Sequence, residues 1–454
     1  MKSSSTTDIV DALVSKGVLT EEEGKLITKG AQSKAKADEK AMKSKINIGS
    51  FIDNATVYGD LRARYERRSA DRADVAGEPT YETNRSRYKF TLGVETKAGD
   101  WYSDIAFAAS SNGRSDNVTF GDKGLGGGDL GMSPKDSGAV YIKRAMLGWN
   151  VTPWLSVEAG RMKNPLYMVN SMVFDHDIVM EGAQEKIKFT LGDTDIFGNV
   201  GQWVYSGSGI QANDTTGTTG HQQLILAFQA GARQAFTSAF SGKAAVGYYD
   251  YTANSSNATG ASNVPFKPTM TNGTAITGQT GVNNLNILDI PAELNYMATS
   301  NIGVRAYGEY AVNTSGSDRY NDACNAYGGL YCTSAKDDDA WLVGLTIGSA
   351  KDLKAFEGKK MAKDDWSLNL WYQSVGTYAL DQNAVDTDIF DGRLNMEGTT
   401  LKAQYNVLDN VALNFTGAHA ERKNSQYGSS YTKADLGYNA SKFDLLQFDV
   451  TYKF

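Results

Sequence analysis

The chain has 454 residues, of which 41% are hydrophobic, with 47 Gly and 24 Tyr against 7 Pro and 3 His, and a formal net charge of -7. No apolar run approaches the roughly 18 to 20 residues that a membrane-spanning helix needs, so helical spans are excluded. The acidic balance argues against nucleic acid as a partner, and a Gly- and Tyr-rich, Pro-poor composition suits many strands joined by loops.

The first fifty residues differ from the rest. The opening MKSSSTTDIVDALV holds no apolar core of the secretory type, which for an exported chain implies that a signal segment has been removed. Ile9, Leu13 and Val14 fall at helical spacing, and Thr20 with Glu23 forms a T-x-x-E capping box at the start of a second short helix carrying Leu26 and Ile27. Residues 31–45 are Ala, Lys, Glu, Asp and Ser with few apolar anchors, a solvated helix or tether. Residues 1–50 therefore read as a helical extension, either a plain flexible segment or one that reaches a partner.

From residue 55 the pattern becomes strand-like, with alternation at 55–67, 84–97, 101–110, 138–150, 154–161, 183–191, 195–205, 221–232, 236–250, 285–298, 302–313, 339–350, 366–376, 393–406, 410–422 and 442–454. The reading is an all-β antiparallel barrel over residues 51–454 with sixteen strands, eighteen being the alternative count. Short links such as Ala98-Gly99-Asp100, Val151-Thr152-Pro153, Gly192-Asp193-Thr194 and Leu408-Asp409 alternate with long polar ones at 112–137, 206–220, 252–284, 313–338 and 424–430. Lys351 to Asp365 breaks this rule, being long where a short turn is due.

The two faces of the strands differ in character. Leu61, Ala63 and Tyr65 alternate with Asp60, Arg62, Arg64 and Glu66, and Tyr88, Phe90, Leu92 and Val94 alternate with Arg85, Arg87 and Lys89. Lys186 and Lys188 oppose Ile187 and Phe189, while Arg305 and Glu309 oppose Val304 and Ala306. An Arg or Lys facing lipid at mid-membrane costs about 2 to 4 kcal/mol, so the charged face is expected inside. A barrel of this strand number leaves an aqueous channel, whereas one near eight strands fills with side chains.

Two cysteines, Cys324 and Cys332, are separated by a Gly-Gly pair, and either a loop disulfide or two free thiols fits that spacing. Asp175-His176-Asp177 does not make a metal site, because adjacent residues on an extended chain do not converge on one ion and only His221 and His419 remain elsewhere. Asp337 to Asp339 fits an acidic loop end better than a Ca2+ site. No cofactor is expected. No serine motif accompanies His419, so catalysis is not expected either.

The most distinctive stretch is GRMKNPLYMVNSMVFDHDIVMEG, residues 160–182, between the fifth and sixth strands and hence the third long loop. Leu166, Tyr167, Met168, Val169, Met172, Val173, Phe174, Ile178 and Met180 are too much apolar area to hang in solvent, and the lumen is the available place to bury it. Folded inward over 162–182, it would set Asp175, Asp177 and Glu181 against Arg62, Arg64, Arg85, Arg87 and Lys89, a transverse field across a narrowed pore. The bland reading is that the basic groups solvate the wall and pair with Asp60 and Glu66, while the acids cap the loop's own turns.

The G-[RK]-x-x-N-P start, the D-x-D core and the closing E-G, here Gly160, Arg161, Asn164, Pro165, Asp175, Asp177, Glu181 and Gly182, resemble the third loop of the putative porins of Gram-negative bacteria. Leu13 to Ile27 is similar to their helical leader. The last strand, with Leu446, Phe448, Val450, Tyr452 and Phe454 on one face, ends on an aromatic similar to the signal read by the barrel-assembly machinery. The resemblance implies an outer-membrane porin, a homotrimer in contact with outer-membrane lipid and lipopolysaccharide, passing small hydrophilic solutes and ions. A structural or adhesive barrel, or a sheath around a partner protein, is the alternative.

Overall fold

The computed structural model describes residues 20, 22–23, 52–72, 81–110, 115–121, 139–206, 223–252, 284–327, 336–349, 353, 362–386, 388–424 and 440–454. Asn54–Arg72 (β1), Tyr81–Ala98 (β2), Trp101–Ser110 (β3), Asn117–Thr119 (β4), Ala139–Thr152 (β5), Leu155–Lys163 (β6), Val179–Leu191 (β7), Thr194–Ser206 (β8), Gln223–Ala235 (β9), Phe240–Tyr251 (β10), Asn286–Met297 (β11), Gly303–Asn313 (β12), Asp339–Gly348 (β13), Trp366–Val375 (β14), Met396–Leu408 (β15), Val411–Arg422 (β16) and Ala440–Lys453 (β17) form one sheet. All its pairings are antiparallel, and β17 returns to β1, with Asp60 opposite Lys453 and Arg64 opposite Asp449. Strand β4 is a three-residue piece lying against β2, with Arg87 opposite Thr119. The other sixteen strands make a closed barrel, the number read from the sequence.

Closure is completed by the last residue. Gly59 and Phe454 exchange backbone N–H···O bonds of 3.0 and 3.1 Å, which extends the β1–β17 ladder to the end of the chain.

The outside of the barrel is apolar. Leu61, Tyr65, Val140, Ile142, Leu147, Phe228, Val343, Leu370, Phe448 and Val450 all stand exposed, while on the opposite parity Arg64, Glu66, Arg87, Gln184, Asp289 and Asp449 are buried. This inverts the arrangement of a water-soluble protein and matches a sheet solvated by lipid outside and water inside. Near the short turns the outer surface carries aromatic rings: Trp101 stacks on Trp149, Phe236 on Phe240, and Tyr452 lies against Phe454. Such a girdle marks a membrane–water boundary.

The helix Gly316–Tyr327 (α1) follows β12. At the other extremity of the chain, Thr20 donates its N–H and hydroxyl to the Glu23 carboxylate at 2.9 and 2.8 Å, and Glu23 returns its N–H to Thr20 Oγ1 at 3.3 Å. That is the reciprocal geometry of a capping box. The rest of the N-terminal extension, the side chain of Cys324, Cys332, and most of the link 351–365 lie outside the described residues.

Candidate functional site: the lumen and its two inward loops

The third loop, Asn164 to Ile178, begins where β6 ends. Gly160 and Gly182 face each other across the β6–β7 ladder with φ of +118° and +144°. A Cβ there would sit 2.3 Å from the Ala145 carbonyl oxygen and 2.2 Å from that of Gln202, so only glycine fits this neck. Asn164 Oδ1 then accepts the Leu166 N–H at 3.0 Å, a side-chain turn that, with Pro165 fixing φ, bends the chain off the wall.

Inside, the loop's apolar side chains are covered. Val169, Met172, Val173 and Phe174, with Met162 of β6 and Met180 of β7, are almost fully buried in one cluster with Trp203, Ile225, Ala227, Tyr249, Ile287 and Tyr307 of β8 to β12. Phe174 meets Tyr249 edge-on at 5.2 Å, and Tyr167 meets Phe197 at 5.8 Å with Lys243 Nζ 3.9 Å over its ring. The backbone is held as well. Gln229 accepts the Tyr167 N–H at 2.7 Å and donates to its carbonyl at 2.9 Å, and Arg305 donates to the Val169 carbonyl at 2.9 Å.

A second segment enters the lumen that the sequence pattern does not announce. The seventh outer loop, Gly376 to Asn395, is buried along most of its length. Its near end is tied to the approach to β13: Gly376 and Tyr378 donate to the carbonyls of Asp339 and Asp337 at 2.9 and 3.0 Å. Its middle meets the far wall, where Tyr205 of β8 donates to Asp381 at 3.4 Å and accepts from Asn383 at 2.9 Å. Its far end meets β1, with Asp388 2.6 Å from Arg64 and 3.3 Å from Arg68, and Asp391 3.0 Å from Arg68. A backbone bond joins the two loops, Asp175 N–H to the Ala384 carbonyl at 2.7 Å.

Beneath this junction lies a cavity of about 350 Å³ that runs toward the short β15–β16 turn. One side carries Asp60, Arg62, Arg64 and Lys89; the other carries Lys402, Gln404, Asn406, Asn414 and Thr416; β17 adds Asp449 and Lys453. At its head stand Asp175, His176 and Asp177 of the third loop with Asp386 and Asp388 of the seventh. A second cavity of about 520 Å³ lies along β2, β3, β6 and β7, lined by Glu95, Glu158, Lys163 and Lys186 with Asn164 and Pro165 at its edge.

The loop acids fall into two electrostatic classes. Burial alone would raise Asp177, but Lys89 at 2.7 Å and Lys143 at 3.7 Å outweigh it and hold the carboxyl well below the usual range. Burial is likewise outweighed at Asp388 by Arg64 and Arg68. Asp175 and Asp386 go the other way: burial and the neighbouring carboxylates push both up.

The expected constriction set is thus redistributed. Asp175 and Asp177 reach the cavity head, and Arg62, Arg64 and Lys89 line its wall. Arg85 and Arg87 lie elsewhere: both pair with Glu66, and Arg87, at 3% exposure, also donates to Ser115 Oγ at 3.1 Å. Glu181 does not belong to the set. It shares the outward parity of β7, opposite to the buried Met180, and its exposed carboxylate pairs with Arg161 on the neighbouring strand. The registers of β6 and β7 continue through it, so the strand outruns the loop that the E-G motif was taken to close.

Sequence reasoning missed Asp386, Asp388 and Asp391, and with them Lys402, Lys453 and Lys143. Lys453 and Asp449 were visible as the polar parity of the last strand. Asp388 and Asp391 had no such signal, because Arg64 and Arg68 lie more than 300 positions away in the chain.

A family described as putative porin matches residues 47–281. No curated protein matches. Among solved structures, OprB of Pseudomonas putida, determined at high pH, is 12% identical with a TM-score of 0.49, covering 92% of this chain and 96% of that one. The outer membrane channel DcaP of Acinetobacter baumannii is 12% identical with a TM-score of 0.41, covering 88% and 97%. A multiply substituted porin of Rh. blastica is 10% identical with a TM-score of 0.38, covering 88% and 100%. With the family match spanning more than half of the chain, on a closed barrel that is apolar outside and charged within, this protein belongs to the putative porin family and resides in the bacterial outer membrane.

Proposed function

We propose that the chain is a passive diffusion channel for small hydrophilic solutes and ions, narrowed where the third loop, joined by the seventh, crosses the lumen. The observation that carries this reading is the inversion of polarity across the wall: Leu61 and Tyr65 stand outward while Arg62 and Arg64, on the same strand, border an internal cavity. A lumen lined with ionised groups of both signs holds water, and solutes small enough for the gap follow it. Size exclusion is set by the loops, and charge bias by Asp175, Asp177, Asp386 and Asp388 facing Arg62, Arg64, Lys89 and Lys402.

The same reading has the protein assemble as a homotrimer in lipid and lipopolysaccharide, delivered by the barrel-assembly machinery through the terminal aromatic strand. Residues 1–50 would stand on the side of the short turns, where β1 begins.

Liposome swelling tests the function. Vesicles carrying the folded chain should swell in isotonic arabinose or glucose and not in a large oligosaccharide. Equal, slow swelling in all solutes, matching protein-free vesicles, would rule out a diffusion channel.

A further inference from the structure

We propose that Asp386, on the seventh loop, sets the sign of ion preference, and that the channel favours cations. This rests on the chain being an open channel and names the solute class that channel admits.

The basic groups expected to attract anions are already engaged by carboxylates, Arg62 least closely, at 3.8 Å from Asp449. Arg64 is held by Asp388 at 2.6 Å and Asp449 at 2.7 Å, and Lys89 by Asp177 at 2.7 Å. Arg85 and Arg87 are tied to Glu66. Asp60 and Lys453 are direct cross-strand partners and offset each other.

Asp386 differs from these. Its Oδ1 accepts the backbone N–H groups of Asp388 at 2.7 Å and Ile389 at 3.2 Å, a turn that fixes the carboxylate without neutralising it. Among the described residues no Lys or Arg forms an ion pair with it; Lys402 and His176 supply the nearby positive potential. It stands at the head of the cavity with Asp175, where the two loops meet. A fixed carboxylate beside a constriction, offset only by charges that form no ion pair with it, lowers the barrier for cations and raises it for anions.

A pH signature follows. The groups around Asp386 are Asp175, His176 and Asp177 of the third loop, Asp388 and Arg393 of its own loop, Arg64 of β1 and Lys402 of β15. Burial and Asp388 raise the Asp386 carboxyl, so its charge disappears as pH falls through a range above that of an ordinary aspartate. Asp177 and Asp388 are held low and stay ionised there.

The experiment is the reversal potential of the full chain in planar bilayers across a KCl gradient. The wild type should reverse on the cation side, Asp386→Asn should move toward zero, Asp386→Lys should cross to the anion side, and Lys402→Gln should move further toward cations. Heat-dependent gel migration reports that each variant is folded. A conducting wild type that prefers anions, or folded Asp386 and Lys402 variants with unchanged reversal potentials, overturns the proposal and leaves the channel intact. Stable insertion without current overturns the channel reading itself, and this proposal with it.

Discussion

The third and seventh loops both turn into the barrel, and they differ in the balance of apolar packing and charge that holds them. The third presses Met172, Val173 and Phe174 into an apolar cluster on β8 to β12, with polar bonds added at Gln229 and Arg305 and one ion pair, Asp177 on Lys89 at 2.7 Å. The seventh is also apolar in part, through Leu380, Val385 and Phe390, but its far end is fixed to β1 by charge, Asp388 and Asp391 on Arg64 and Arg68. Hydrophobic docking tolerates small shifts and depends on area, whereas a buried ion pair fails abruptly when one member is removed. One loop is therefore a packed shelf and the other a latched strap.

The largest effect is expected at the latch. Arg68 is 1% exposed, and Arg68→Ala leaves Glu66, Asp388 and Asp391 short of a counter-charge. Removing one partner of such a network costs about 4 kcal/mol, so the seventh loop should leave the lumen. Unitary conductance should rise and the folded barrel should unfold in detergent at a lower temperature. Unchanged conductance would mean that the loop does not obstruct the pore.

Phe174→Ala should act similarly but less sharply. The ring is 1% exposed and packed on Tyr249, and its loss costs about 3 kcal/mol of docking. Larger sugars should then enter in the swelling assay, while the seventh loop stays latched.

Mild acid separates the two classes of carboxyl. The depressed acids, Asp177 and Asp388, contribute docking stability at higher pH and lose it only as pH falls through their lowered values. Asp175 and Asp386, being raised, are neutralised first. Between the two ranges cation preference should fall while unitary conductance holds. A conductance jump accompanying the first loss of preference would show that the loops are not held by the low acids.

The smallest effect is expected at Glu181. Its exposed pair with Arg161 is worth about 0.5 kcal/mol, so Glu181→Gln should leave conductance and ion preference unchanged. A shift in either would return that residue to the constriction.

The barrel was legible because period-two alternation repeats sixteen times and an error of one strand would turn charges toward lipid. The third loop was legible for a similar reason: nine large apolar residues in one connection must be buried somewhere. GTYALDQNAVDTDIFDGRLN, the seventh loop, has apolar residues in ordinary proportion, and its four aspartates say nothing local about where it goes. Its position depends on Arg64, whose inward parity was visible, and on Arg68, one residue past the strand read as 55–67; the partners of both, distant in sequence, were not visible. Arg85 and Arg87 show the converse, since alternation put them inside and the bland reading, pairing with Glu66, is the one the structure shows for both. Glu181 was misassigned because an E-G motif marks a boundary in sequence, while the β6–β7 ladder runs past it.

Single-channel recording tests the central claim most directly. The folded chain added to a planar bilayer should produce discrete current steps of uniform size, and Arg68→Ala should enlarge those steps. A barrel that inserts stably, migrates as folded and carries no current, in wild type and variant alike, would contradict a water-filled pore obstructed by two loops.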